Sequence, residues 1–300
     1  MNERQAIPFQ RWGKVIGLLS LLVFVLAVGG LMWSGHTEIR YTADHHGTIP
    51  IQNKWVPAIV CILLIRIIPF HRPNYHPFHE LTKQQLAIQS AVFLFGAILF
   101  PVSLLLVDSN TSTFQLWYMG LKLAMLFILP WMALRLILTH PMKRLTPEQP
   151  SSLSWLMWVS PLFIMSVWVY LSYFSVFSVP RTPSVLINAA ELLMTLVVGF
   201  LINSLLEELF YRVWLQTRLE ELLGSWPAIM LTSIPWSIWH IKIQHTGYLP
   251  ADVVMAIANQ GVTGLFLGYL WSRYRNMWVL IMIHGIINAP PQLLLELWNM

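Results

Sequence analysis

The chain has 300 residues, of which 56% are hydrophobic and only 10% are charged. Soluble domains carry about 25% charged residues, so this composition excludes a soluble globular protein and indicates a membrane protein. The net charge of +5 does not indicate a nucleic-acid partner, because the basic residues stand singly or in pairs at the ends of apolar runs. The single cysteine, Cys61, excludes an intrachain disulfide and a multi-cysteine metal site.

Apolar runs follow one another along the chain and predict nine membrane helices. A run of about 20 residues can cross the hydrocarbon core, where backbone groups find no water and must be satisfied within a helix. The second run is short and carries Arg66, so eight crossings are nearly as well supported as nine. The predicted fold is all-α, a polytopic integral membrane bundle of about eight or nine helices. The predicted helices span residues 13–33, 54–70, 86–107, 115–139, 153–178, 185–223, 226–242, 250–273 and 277–298.

The distribution of lysine and arginine predicts how these helices are oriented. With a cytoplasmic N-terminus, thirteen of the 18 basic residues fall on the cytoplasmic side and four on the opposite side, while Lys122 lies inside a helix. Cytoplasmic loops carry the excess of positive charge, so we expect the N-terminus in the cytoplasm. The chain shows no eukaryotic targeting signal. We therefore expect a multi-pass protein of the bacterial cytoplasmic (inner) membrane, with membrane lipid as its surroundings.

The densest group of ionisable residues in an apolar setting is Leu205-Leu-Glu-Glu-Leu-Phe-Tyr-Arg212. Such groups are costly inside a bilayer and are candidates for function. Successive helical residues point about 100° apart, so Glu207 and Glu208 are expected to face different partners. Glu208 and Arg212 stand in the favourable i, i+4 order and predict an ion pair. Glu207 then faces another group, unless both glutamates only mark a helix end at the interface.

Two further segments place polar residues in apolar runs. Trp236-Ser-Ile-Trp-His240 ends one run, and His284-Gly-Ile-Ile-Asn288 lies within another. His284 and Asn288 are one helical turn apart and share a helix face. We expect both side chains of this pair to face one cavity.

The turn at Gly224-Ser225 brings the first two segments together. Glu207 and His240 each lie about 22–26 Å from that turn if both arms are helical, so an antiparallel hairpin puts them level. A second turn near Arg275-Asn276 lies on the same side of the membrane, and His284 follows it closely. The four polar residues are therefore expected to converge below the cytoplasmic surface.

Such a cluster predicts hydrolysis. A carboxylate beside a histidine in a partly dry pocket can deprotonate a water, and a histidine with an amide donor can stabilise the oxyanion that forms at a carbonyl. The alternative is a zinc ion held by Glu207, His240 and His284, with an open position for water. No H-E-x-x-H spacing is present, so a reaction without a metal cofactor is favoured and zinc stays open.

The three segments, in this order on membrane helices, resemble the CAAX-prenyl-protease and bacteriocin-processing family (CPBP, also called Abi). The resemblance covers residues 185–298, which predicts a catalytic core there, while the helices of residues 1–180 resemble no family. The second motif of the family usually begins with Phe, and we expect Trp236 to be a harmless aromatic substitution. The motifs are Glu207-Glu208-x-x-x-Arg212, Trp236-x-x-x-His240 and His284-x-x-x-Asn288.

The resemblance implies an intramembrane endopeptidase that acts on a membrane-associated or C-terminally processed peptide or protein substrate. It implies that Glu207 is the general base, assisted by His240, and that His284 and Asn288 form the oxyanion site. Glu208 and Arg212 are implied as supporting residues. Two other classes remain open: a non-catalytic immunity or binding protein of the same family, and a transporter whose path is lined by Arg66, Lys122, Glu191 and Glu207. Under the protease hypothesis, Glu191 and Lys122 are expected to be buried partners or cavity-lining groups.

Overall fold

The described chain is a bundle of helices, as its apolar runs predict. The computed structural model describes residues 3–35, 37–40, 47–68, 77–78, 81–108, 111–137, 155–178, 188–244, 247–291, 293 and 298. Each of the nine predicted runs forms a helix, so the predicted all-α membrane bundle is confirmed. Within these residues, one small antiparallel hairpin, β1 (Glu38–Arg40) with β2 (Thr48–Pro50), accompanies the helices.

The first half of the chain supplies helices α1 to α6. A π-helical segment, Ala124–Ile128, joins α4 to α5, so these two helices form one continuous rod. Their bounds are α1 (Glu3–Ser34), α2 (Gln52–Ile67), α3 (Lys83–Leu105), α4 (Phe114–Leu123), α5 (Leu129–Ile137) and α6 (Leu156–Tyr173).

The second half begins with a rod that runs without interruption from residue 189 to residue 223. It consists of α7 (Ala189–Gly199), the π-helical segments Phe200–Leu205 and Glu208–Gln216, and α8 (Thr217–Leu223). At about 1.5 Å per residue it is longer than the roughly 30 Å hydrocarbon core. The rod nevertheless has no break in its helical structure. Wider π-helical turns, which are frequent at functional sites, lie on both sides of Glu207 instead.

The remaining helices pack around this rod. A π-helical segment, Ile257–Gly261, joins α11 to α12. The predicted helix 226–242 ends early, because α9 stops at Ile238 and His240 lies in the turn that follows. The bounds are α9 (Ser225–Ile238), α10 (Ile241–Gln244), α11 (Leu249–Ala256), α12 (Val262–Tyr274) and α13 (Met277–Asn288).

Among the residues that the structure describes, five helical stretches are long and apolar enough to cross a membrane, and two shorter apolar helices accompany them. The chain is therefore a multi-pass membrane protein. The exact number of crossings, eight or nine, stays a prediction. The long stretches are Arg11–Ser34, Lys83–Leu105, Phe114–Arg135, Ala189–Leu223 and Leu249–Tyr274, and the short ones are Met157–Tyr173 and Met277–Asn288.

Both halves of the chain share one hydrophobic core. Phe93 and Phe100 of α3 belong to the same buried cluster as Phe210 in the long rod and Phe266 of α12. The division into segments 1–180 and 185–298 stays a prediction.

Close packing of α12 on α9 depends on two glycines. A Cβ atom at Gly264 would lie 2.9 Å from the Cβ of Ser233, and one at Gly268 would lie 2.9 Å from the Cγ2 of Ile229. Small residues four apart let two helices approach closely. This contact fixes α9, which carries Trp236, against its neighbours.

Two turns set the depth of the polar residues, as the sequence predicts. Gly224 has a φ of 87° and connects α8 to α9, where a side chain would be strained. Arg275 adopts a left-handed conformation after α12, and the side chain of Asn276 then accepts a hydrogen bond from the backbone N–H of Val279 to begin α13.

Candidate active site

Glu207 is fully buried between the two π-helical segments of the long rod. Its Oε1 accepts a hydrogen bond from the ammonium of Lys122. Its Oε2 accepts a 2.6 Å hydrogen bond from the indole Nε1 of Trp236. A buried carboxylate needs such compensation, because an unpaired charge in an apolar interior is strongly destabilising. Glu207 therefore faces inward among polar partners rather than toward lipid.

Lys122 of α4 is the partner of Glu207 that sequence reasoning missed. The lysine is fully buried, and its Nζ also donates to Tyr118 Oη at 2.6 Å and to Asn203 Oδ1 at 2.7 Å. The Nζ lies 4.3 Å from the ring centroid of Trp239. The expectation of a buried partner fits Lys122 but is wrong for Glu191, which is exposed in the first turn of α7.

His284 of α13 lies between the two adjacent glutamates. Its Nδ1 is 2.6 Å from Glu208 Oε1, and its Nε2 is 4.0 Å from Glu207 Oε2. An ionised carboxylate only accepts hydrogen bonds, so we assign the Nδ1 proton to the contact with Glu208. The other ring nitrogen, Nε2, faces Glu207.

Glu207 and Glu208 bind different partners, as expected: Glu207 accepts hydrogen bonds from Lys122 and Trp236, whereas Glu208 contacts Arg212 and His284. The sequence did not indicate that His284 lies near both carboxylates. The π-helical segment begins at Glu208, so α-helical geometry does not describe the turn that follows. The imidazole also has a nitrogen on each side and can meet both carboxylates. The predicted ion pair of Glu208 with Arg212 is present, with 3.6 Å between Oε2 and Nε, and both side chains are fully buried.

His240 and Asn288 lie at the margin of this cluster. The half-buried His240 ring stacks on Trp239, with 3.7 Å between the centroids, and its Nδ1 is 3.0 Å from the carbonyl oxygen of Trp236. Among the described residues, His240 forms no hydrogen bond or ion pair with Glu207. Asn288 is exposed at the end of α13, and its Nδ2 donates to Ser204 Oγ at 3.0 Å. The structure thus brings Glu207, Glu208 and His284 together and leaves the other two beside them.

The comparison with protein families bears on this part of the chain. Residues 189–290 match the family model described as Rce1-like, type II CAAX prenyl endopeptidase Rce1-like. We refer to this matched segment as the CAAX protease domain. The match confirms the resemblance seen in the sequence, and the domain contains all six predicted site residues. Comparisons with curated proteins and with solved structures give no match.

One residue of the cluster comes from outside the matched segment. Lys122 lies on α4, and Tyr118, which binds it, is one turn earlier on the same helix. The CAAX protease domain supplies Asn203 and Glu207 on the other side of the ammonium. The first half of the chain is therefore in direct contact with the candidate base.

The proposed zinc ligands do not fit a metal site as they stand. Within the ranges that the structure describes, no three His, Cys, Asp or Glu residues lie close enough to hold a metal ion. The Nδ1 of His240 lies against the backbone carbonyl of Trp236 in α9, and the ammonium of Lys122 lies against Glu207, where it would repel a second cation. The histidines of the loops lie outside the described residues; they are His36, His45, His46, His71, His76 and His79.

A mostly apolar cavity of about 350 Å³ lies between α4 and the long rod. Tyr118 and Asn203, which bind the ammonium of Lys122, form part of its wall. The cavity therefore reaches the layer of side chains around Glu207. Its lining residues are Gln115, Tyr118, Met119, Met194, Thr195, Val198, Gly199, Ile202 and Asn203.

Trp236 does more than provide an aromatic ring, because its N–H binds Glu207. Trp236→Phe keeps a ring and removes this donor. Hydrogen bonds to charged groups contribute about 1.5–3 kcal/mol, so we expect a loss of that size in the free energy of unfolding, measured in mixed detergent micelles. The control is Trp239→Phe, since the indole N–H of Trp239 has no hydrogen-bond partner among the described residues. Equal losses in the two variants would contradict a specific role for the Trp236 hydrogen bond.

Proposed function

We propose that this protein is an intramembrane endopeptidase in which Glu207 activates a water for attack on a peptide bond, without a metal ion. The observation that supports it best is the 4.0 Å separation of Glu207 Oε2 from His284 Nε2. One water can lie about 2.8 Å from both atoms. Glu208 orients the imidazole through its other nitrogen, Nδ1.

The reaction balances with the residues present. Glu207 takes a proton from the water, and the hydroxide oxygen bonds to the carbonyl carbon of the substrate. The resulting oxyanion accepts hydrogen bonds from Nε2–H of His284 and from the amide of Asn288, while His240 assists the base. The proton held by Glu207 passes to the amide nitrogen as the C–N bond breaks. The products are a free carboxyl group and a free amine.

The proposed substrate is a membrane-associated peptide. Its apolar side chains, or a lipid group near its C-terminus, enter the cavity between α4 and the long rod, because that cavity is mostly apolar and adjoins the residues around Glu207. The proposed location is the bacterial inner membrane, with a cytoplasmic N-terminus. Cleavage then takes place near the cytoplasmic surface.

Three probes test the activity in liposomes that contain the purified protein. They are a fluorogenic peptide ending in a farnesylated CAAX sequence, the same peptide without the lipid, and a single-span helical peptide. We expect mass spectrometry to find one cut in at least one membrane-associated probe and slower cleavage of the unlipidated peptide. Binding of the probes with no cleavage of any of them would favour the non-catalytic alternative.

The metal-free part of the proposal has its own test. Because Glu207 is already paired with an ammonium, we expect the purified protein to contain no stoichiometric zinc by elemental analysis. We also expect 1,10-phenanthroline and EDTA to leave the cleavage rate unchanged. Loss of activity with a chelator and its recovery on adding zinc would show that the mechanism is wrong, although the choice of residues could stand.

A further inference from the structure

Lys122 is tied to the candidate base by a complete set of contacts. An ammonium has three N–H donors, and three acceptors surround this one: Tyr118 Oη at 2.6 Å, Asn203 Oδ1 at 2.7 Å, and Glu207 Oε1. The ring of Trp239 covers it at 4.3 Å. No donor of Lys122 is left over for a substrate, and its side chain is fully buried.

The charges of the buried cluster also match one another. Arg212 is paired with Glu208, and its guanidinium lies 5.1 Å from the ring centroid of Trp236. Lys122 is thus the positive partner of Glu207. Each of the two buried carboxylates thus has a cation as its partner.

Lys122 lies behind the cavity wall rather than in it. Tyr118 and Asn203 line the cavity, whereas Lys122 does not. A peptide in the cavity would therefore meet those two side chains and not the ammonium. This separates a role in holding Glu207 from a role in binding the substrate.

We propose that Lys122, from outside the CAAX protease domain, is a positioning residue that holds Oε1 of Glu207 and so directs Oε2 toward His284 Nε2. The inference rests on the proposed function and names a residue that its reaction requires. It also makes the first half of the chain part of the active centre.

The first test is the kinetics of Lys122→Met with the best-cleaved of the three probes. A displacement of about 1 Å in a reacting group can cost 10²-fold, so we expect kcat per folded molecule to fall by about 10²-fold with KM unchanged. Lys122→Arg keeps the charge and should recover part of kcat. The control is Arg135→Met, which removes an exposed cation from the same membrane-crossing stretch and should leave kcat unchanged.

A stability cycle, in which the unfolding temperatures of Lys122→Met, Glu207→Gln and the double variant are compared, tests the Lys122–Glu207 pair independently of catalysis. Lys122→Met leaves Glu207 buried without its cation, so it should lower the unfolding temperature in detergent. Adding Glu207→Gln to Lys122→Met should recover most of that loss, since residues in contact do not have additive effects. This cycle needs no substrate.

Each failure has a distinct meaning. Wild-type kcat per folded molecule in Lys122→Met would overturn the inference, and so would a raised KM with kcat unchanged, which would make Lys122 a binding residue. An additive stability cycle would show that the two side chains are not coupled and would also overturn it. If no probe is cleaved, or if Glu207→Gln keeps full activity while the cycle shows coupling, the proposed function fails and Lys122 is a structural partner only.

Discussion

Glu207→Gln is expected to lower kcat by about 10²- to 10⁴-fold, the range that a general base contributes. Glutamine has nearly the same shape as glutamate but cannot take a proton from water. It also leaves the ammonium of Lys122 facing a neutral amide in the buried cluster. The measurement is the initial rate of cleavage of the farnesylated and single-span probes, divided by the amount of folded protein.

The control for this experiment is Glu191→Gln. Glu191 lies on the same long rod, but its side chain is exposed and belongs to the first turn of α7. The same chemical change there should leave kcat and KM at wild-type values. A Glu207→Gln protein that folds and keeps wild-type kcat would remove the general base from the mechanism and, with it, the proposed reaction.

The helices could be predicted because their signal is local. The length of an apolar run and the absence of charge within it decide whether a segment can cross the bilayer. The turn at Gly224 could be found in the same way, since a glycine between two apolar runs permits the positive φ of 87° that is observed there. The predicted pairing of Glu208 with Arg212 required only the geometry of one helix.

The neighbours of Glu207 could not be predicted in this way. Lys122 and Glu207 are separated by 85 positions in the chain. A lysine in an apolar run indicates that it has a partner, but the sequence offers both Glu191 and Glu207 as the partner of Lys122. The packing of α4 against the long rod decides between them, and no local pattern encodes that packing.

Local winding explains the other differences. Two π-helical segments flank Leu206 and Glu207, and α-helical periodicity did not predict that one imidazole would lie near both carboxylates. His240 was expected level with Glu207 at the end of a straight helix. Instead α9 ends at Ile238, and the imidazole bonds to a carbonyl oxygen one turn back. The sequence pattern does not predict where a helix widens or ends to within one residue.

His284→Asn is expected to lower kcat by about 10²- to 10³-fold, the effect of losing one donor to an oxyanion. The asparagine amide lies where Nδ1 lies in histidine, so it can still donate to Glu208 Oε1, while nothing replaces Nε2. The fold should therefore persist and the reaction should slow. The measurements are kcat, KM and the unfolding temperature in detergent.

The partner variant, His284→Gln, makes the opposite change. Its longer side chain places an amide near the position of Nε2 and gives up the contact with Glu208, whose Oε1 then lies buried without that hydrogen bond. We expect this variant to be the less stable of the two but to retain more of kcat, because its amide can still donate to the oxyanion. If the asparagine variant is instead the more active one, the contact with Glu208 matters more than Nε2, and His284 acts by holding Glu208 in place rather than at the carbonyl.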